Sequence, residues 1–272
     1  MVSTREMAAF QKTIWAYYKK SGRHSLPWRK TKDPYKILVS ELMLQQTQVS
    51  RVLVKYAEFL KQFPTIQALA DAPLADVLRA WQGLGYNRRA KFLHLLAKEV
   101  VKKNKGGLPS TEAELLLLPG IGRATASAIM AFACNKPTVY LETNVRSVFL
   151  HYFFKDADGV SDSDLLPLIE RAAQGQSARE WNWALLDYGS YIKTTFGNPN
   201  ARSKHYTKQS KFEGSNRQIR GAVLRELEKG ALSKTRLMAQ LQFDTTKTEK
   251  VLADLQKEQL VSKRGTLFHL GS

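Results

Sequence analysis

Cysteine is almost missing from this chain. Its 272 residues contain only Cys134, which excludes an intramolecular disulfide and any site built from four protein cysteines, iron–sulfur clusters included. Also missing is an apolar run near the ~20 residues that a membrane-spanning helix needs, and the N-terminus lacks a signal-peptide core. The chain therefore reads as soluble, with no membrane partner. The five histidines, His24, His94, His151, His205 and His269, show no metal-ligand spacing and read as surface or packing residues. Acidic residues are scarce, 24 against 42 Lys and Arg. The resulting net charge of +18 calls for a polyanionic partner, either nucleic acid or an acidic surface.

Alternating strand patterns are absent before residue 215, so the first domain is expected to be nearly all α. Helical spacing of apolar residues predicts helices over 6–20, 35–47, 49–63, 66–70, 74–82, 88–104, 112–117, 124–134, 143–154, 163–174 and 181–191. Asp33 precedes Pro34 as a cap before the first helical position. Turns are signalled at Pro64, Pro73, Gly83-Leu84-Gly85, Gly106-Gly107 and Pro119. Trp15, Trp81, Trp181 and Trp183 fall at helical positions that suit core packing. From 193 to 220 seven Lys or Arg face a single Glu, around the breaker Gly-Asn-Pro-Asn. This is an extended basic connection, either a solvated loop or a strap tracking DNA, with Lys204, Lys208 and Lys211 as its contacts. Helices over 216–228, 233–241 and 245–258, then short strands over 260–263 and 266–270, follow in winged-helix order. The last of these helices carries both signs of charge, and DNA reading, a protein contact or plain packing would all suit it. Three segments result: a domain over 1–192, a connection over 193–215 and a winged-helix-like α+β module over 216–272.

Two stretches could carry chemistry. Residues 118–125, Leu-Pro-Gly-Ile-Gly-Arg-Ala-Thr, place Gly120 and Gly122 in a tight turn that opens into a helix. The turn is either an ordinary helix connection or a cradle of backbone amides for a phosphate, with Arg123 and Thr125 at the helix start. Glu41 lies among Leu38, Leu42 and Leu44, surroundings that raise a carboxyl pKa as general acid catalysis requires. Glu142 begins a polar helix start, Glu-Thr-Asn-Val-Arg, as a second acid or as a capping residue. Two acids facing one pocket are the apparatus for cleaving a glycosidic bond.

Together these motifs resemble the helix-hairpin-helix (HhH-GPD) DNA glycosylase superfamily. Pro27-Trp28-Arg29, the Leu-Gln-Gln-Thr-Gln-Val run from Leu44, and Gly83-Leu84-Gly85-Tyr86 resemble its adenine (A/G-specific, MutY-like) branch. The likeness covers about residues 5–192. It implies a two-lobed helical fold and a base-flipping enzyme. In that family's pattern Glu41 protonates the departing adenine. Glu142 takes the place of an aspartate that stabilises the sugar cation, and Asn144 supports it. Gln46 and Thr47 probe the opposite base, Leu84 and Tyr86 wedge into the stack, and Gly120, Gly122, Arg123 and Thr125 grip the backbone. Arg29 joins the DNA contacts.

Four departures shape the expectation. The aspartate is a glutamate. The cysteines of a [4Fe–4S] cluster are missing, so no cofactor is expected and the basic segment takes the cluster loop's place. A winged-helix pattern stands where the family's hydrolase-like, 8-oxoguanine-recognising module is usual. Ala124 occupies the position of the Schiff-base lysine of bifunctional relatives, so simple hydrolysis is expected. The resemblance thus implies a monomeric, monofunctional base-excision-repair enzyme of the cytoplasmic nucleoid. Its partner is duplex DNA with a mismatched or damaged base, and it removes adenine opposite 8-oxoguanine or guanine. The rival readings are a thymine/uracil mismatch glycosylase on the same scaffold and a non-catalytic damage-binding protein.

Overall fold

In the computed structural model, residues 2–271 are described. The chain runs through α1 (Thr4–Ser21), a 3₁₀ turn Pro27–Arg29, α2 (Pro34–Leu44), α3 (Val49–Gln62), α4 (Ile66–Asp71), α5 (Leu74–Ala80), α6 (Arg88–Asn104), α7 (Glu112–Leu116), α8 (Arg123–Phe132), α9 (Thr143–Phe153), α10 (Asp162–Ala173) and α11 (Ala178–Thr195). A second 3₁₀ turn, Pro199–Arg202, precedes α12 (Asn216–Lys229), β1 (Leu232–Ser233), α13 (Lys234–Leu241), α14 (Thr245–Lys257), β2 (Val261–Arg264) and β3 (Leu267–Leu270). The all-α expectation for the larger part and the α+β expectation for the C-terminal part both match this order. Side-chain caps set many of the helix starts. Ser3 caps α1 in a reciprocal box with Glu6, Thr65 caps α4, Ser215 caps α12 and Asp244 caps α14.

Two compact units emerge. The first runs from the N-terminus to Leu38 and adds Ser110–Leu116 and Ile121–Lys208. Its core packs Phe10, Ile14, Ile37, Phe132, Phe149 and Trp181 among others. Aromatic rings carry much of it: Phe10 meets Phe149, Tyr152, Phe153 and Trp181 at 5.0–6.2 Å between centroids, in tilted or edge-on arrangements. Arg29, Arg23 and Asp187 form a buried ionic knot beneath that core. Arg29 meets the Asp187 carboxylate through two hydrogen bonds of 2.7 and 2.8 Å, and its guanidinium lies 5.4 Å over Trp183. Burial pushes the Asp187 carboxyl up, but the hydrogen bonds and charges of Arg29 and Arg23 outweigh it and hold the group below the usual carboxylate range.

The second unit comprises Val39–Pro109, Leu117–Gly120 and the chain from Gln209 onward. The winged-helix-like elements therefore group with the α3–α6 lobe. Lys91 of α6 donates to the Glu258 carbonyl at 2.7 Å and to the Gln259 side chain at 2.9 Å, and Gly271 packs closely on the backbone of Ala75. The three strands are ordered β1-β3-β2, all antiparallel, with Lys263 opposite Phe268 and Leu232 opposite Phe268 on the other side. The two-residue β1 is too short for an alternation pattern to mark it in the sequence. Leu224, Leu237, Leu255 and Phe268 fill the small core. Part of the mixed charge on α14 is spent internally: Lys247 donates to the Gly214 carbonyl and Glu249 pairs with Lys234.

Candidate active site

Glu142 is the N-cap of α9. One carboxylate oxygen accepts from the backbone N–H of Asn144 at 2.5 Å and of Val145 at 2.9 Å, and the Asn144 side chain donates to the other at 3.5 Å. The structure shows the capping reading of Glu142, and the capping bonds fix its carboxylate in place. The side chain keeps some solvent exposure, but the protein atoms crowding its carboxyl push its pKa up. The two amides, and the charges of Lys193 and Arg146, pull it back. Lys193 of α11 is pushed down by burial and held up by Glu142. Nothing in the spacing 142 to 193 marks this pairing of charges in the sequence.

Four contacts keep α9 where it is. Arg146 reaches the α10 start through a two-pronged pair with Asp162, at 2.9 and 2.8 Å. Asn200, from the Pro199–Arg202 turn, donates to the Ser147 hydroxyl at 2.6 Å and to the Thr143 carbonyl at 3.2 Å. Arg202 donates to the Leu150 carbonyl at 3.1 Å, at the other end of the same helix. Gly189 of α11 lies so close to the Asn144 carbonyl that a Cβ there would collide with it. The start of the basic connection is therefore a clasp on α9, tied down further by a parallel bridge between Val160 and Ser203. Lys204, Lys208 and Lys211 are exposed.

Glu41 sits half-buried on α2 in the second unit. Just beyond it, Arg89 organises two turns. Its guanidinium donates to the carbonyls of Leu42, Met43, Gln45, Leu84 and Gly85 at 2.5–3.2 Å and to the Thr47 hydroxyl at 3.1 Å. The first three are carbonyls at the end of α2 that the helix itself leaves unpaired. Burial pushes Arg89 down to about 10, so it stays charged at neutral pH. Gln46, with φ at +54°, and Tyr86, at +48°, are presented by these turns in left-handed conformations that bulky residues adopt only under such constraint.

Not every expected contact is on the surface. Arg29, expected at the DNA, has a side chain only 4% exposed and is committed to Asp187, because an unpaired charge in that core would be costly. Leu84 is 3% exposed and packs inward, while Tyr86 is 37% exposed. Thr125 is buried in α8. Gly120 takes φ +76° against the Phe92 ring, and Gly122 caps α8 in extended conformation, followed by exposed Arg123 and Ala124. Among the described residues no group of three or more His, Cys, Asp or Glu could hold a metal. Cys134 is a free, half-buried thiol, so the residues present do not fit a four-cysteine cluster.

The order helix, Gly-x-Gly turn, helix over α7 and α8, within a helical scaffold, is a helix-hairpin-helix arrangement. The HhH-GPD superfamily of base excision DNA repair proteins matches residues 39–165, a span that holds Glu41, the hairpin and Glu142. The adenine DNA glycosylase of Buchnera aphidicola subsp. Baizongia pistaciae is 40% identical over 67% of this chain and 52% of its own length. That of Mycobacterium tuberculosis is 33% identical over 92% of this chain and 89% of its own. A thermostable thymine-DNA glycosylase of known structure superposes with a TM-score of 0.64 at 27% identity, covering 70% of this chain and 88% of that one. The chain belongs to the HhH-GPD superfamily and resembles its adenine DNA glycosylase branch. It spans about half the length of the Buchnera relative it matches.

Proposed function

We propose that the protein is a monofunctional DNA glycosylase that removes adenine mispaired with 8-oxoguanine or guanine from duplex DNA. The observation that carries this reading is its kinship with adenine DNA glycosylases across the span that holds both carboxylates. The target base swings out of the stack, because a group held in a protein fold cannot reach it within the duplex. Glu41 protonates the base, and the N-glycosidic bond breaks through an oxocarbenium-like state. The Glu142 carboxylate, aimed by its two backbone amides, stabilises that cation until water adds to the sugar. Asn144 holds the second carboxylate oxygen. Arg123 and the amides after Gly120 take a backbone phosphate, and exposed Lys204, Lys208 and Lys211 add sequence-independent contacts.

Hydrolysis leaves an abasic site, since Ala124 offers no amine for a Schiff base. The protein works without an iron–sulfur cluster and as a monomer, the clasp of Asn200 and Arg202 holding α9. Among the described residues no helix is long and apolar enough to cross a membrane, and the chromosomal duplex is the partner in this reading. A second reading, thymine or uracil excision from mismatches, is favoured by the solved thymine-DNA glycosylase it resembles and by glutamate at position 142.

The test is base release from duplexes carrying A opposite 8-oxoguanine, A opposite G, T opposite G and U opposite G. Adenine release is expected, with strand scission only after alkali. Release of thymine or uracil alone would transfer the assignment to the second reading. Alkali-independent scission trapped by borohydride would contradict the monofunctional step.

A further inference from the structure

Two cations act on the Glu142 carboxylate, Arg146 on its own helix and Lys193 on α11. They differ in what else they serve. Arg146 is held by the Asp162 carboxylate through its two-pronged pair. Arg23, which faces Lys193 from the segment after α1, is likewise held by Asp187, through its side chain at 2.6 Å and its backbone amide at 2.8 Å. His151, Lys155 and Arg202 gather at the far end of α9, which at His151 is ~13 Å along the helix axis from Glu142. For Lys193, by contrast, Glu142 is the one acid whose charge acts on it among the described residues. The helix crossing puts it there. α11 passes the start of α9 so closely that Gly189 leaves no room for a Cβ against the Asn144 carbonyl. Lys193 follows one helical turn later and lies on the same face of α11. Both Lys193 and Glu142 are half-buried, where charges interact more strongly than in bulk water.

We infer that Lys193 is a positioning residue for the proposed base release: its ammonium, carried past the α9 start on the Gly189 face of α11, holds Glu142 as the carboxylate that a developing sugar cation requires. The inference rests on the role proposed for Glu142. An oxocarbenium-like state is stabilised by a carboxylate and not by a neutral acid, whereas burial by itself drives Glu142 toward the acid. The capping amides oppose burial but carry only partial charge. Arg146 divides its charge between Glu142 and Asp162. Lys193 thereby supplies the full positive charge that is not shared with a second carboxylate.

The experiment follows Glu142 itself, by carbon NMR titration of the glutamate carboxyls in the full chain, with Glu142→Gln identifying its resonance. Lys193→Met keeps the length of the side chain and removes the charge, and Lys193→Arg restores the charge. The Glu142 midpoint is expected to move upward in Lys193→Met and to stay near wild type in Lys193→Arg. Single-turnover base release from a duplex carrying A opposite 8-oxoguanine is measured across the same pH range. At the acid end Lys193→Met is expected to lose about tenfold, with the deficit shrinking as pH rises and Lys193→Arg within about twofold of wild type. An unmoved Glu142 midpoint in Lys193→Met would overturn the inference, and with weakened duplex binding it would make Lys193 a phosphate contact instead. A loss of release that is equal at every pH would also overturn it, since a structural defect has that form. A midpoint that moves while release does not would overturn the role of Glu142 on which the inference rests, so the two failures are distinguishable.

Discussion

At the scale of single residues, the surroundings of Glu142 pull its protonation in opposite directions. Crowding by protein favours the neutral acid, whereas two amides and Lys193 favour the carboxylate, and crowding prevails. A raised pKa means that the folded state binds the proton more tightly than the unfolded chain does. Stability contributed by this group is therefore full at low pH and falls as pH rises above the ordinary value of 4.5. Thermal melts of wild type and Glu142→Gln across this range should show the variant gaining relative stability as pH rises, while its base release falls on the order of 10²–10³-fold. A constant difference in Tm would contradict the assignment of charge. Residue roles were unevenly legible in the sequence. Glu142 and Asn144 lie two positions apart in a motif that the family resemblance covers, so their contact was expected from it. The contact of Arg29 was not, since only the fold brings Asp187, 158 positions away, within 2.7 Å of it.

Among elements, helix ends were the most legible feature, because capping residues and prolines mark them locally. Arg88–Asn104 is reproduced residue for residue, and most other helices begin or end within about two or three positions of their periodic patterns. The clasp on α9 was illegible for the opposite reason. A run of lysines around Gly-Asn-Pro-Asn has the composition of a loop, yet Asn200 is buried, bonded to the first turn of α9. Gly189 likewise shows no local signal within a well-formed helix, and its purpose is the close passage of α11 beneath Asn144. Gly189→Ala must displace one of the two helices, at a cost of ~1–3 kcal/mol. Because the displaced backbone also holds the Glu142 cap, single-turnover base release is expected to fall at least tenfold while duplex affinity changes little. Wild-type rates in that variant would remove the α9–α11 contact from the positioning of the acid.

For the molecule as a whole, composition already points to the partner class. A net charge of +18 acts on a polyanion by displacing its counterions, so affinity for undamaged duplex should fall steeply and linearly in log–log form with salt, by about 10³-fold between 50 and 200 mM. A flat salt dependence measured by fluorescence anisotropy would place the positive charge elsewhere than at the DNA. Base choice is a different matter, because it depends on a few atoms inside a pocket rather than on charge.

The central claim is that Glu41 supplies the proton that lets adenine leave. Single-turnover release of adenine from a duplex carrying A opposite 8-oxoguanine, compared between wild type and Glu41→Gln, tests it directly. A loss of at least ~10²-fold is expected in the variant, with duplex affinity retained. Equal rates in the two proteins would contradict it.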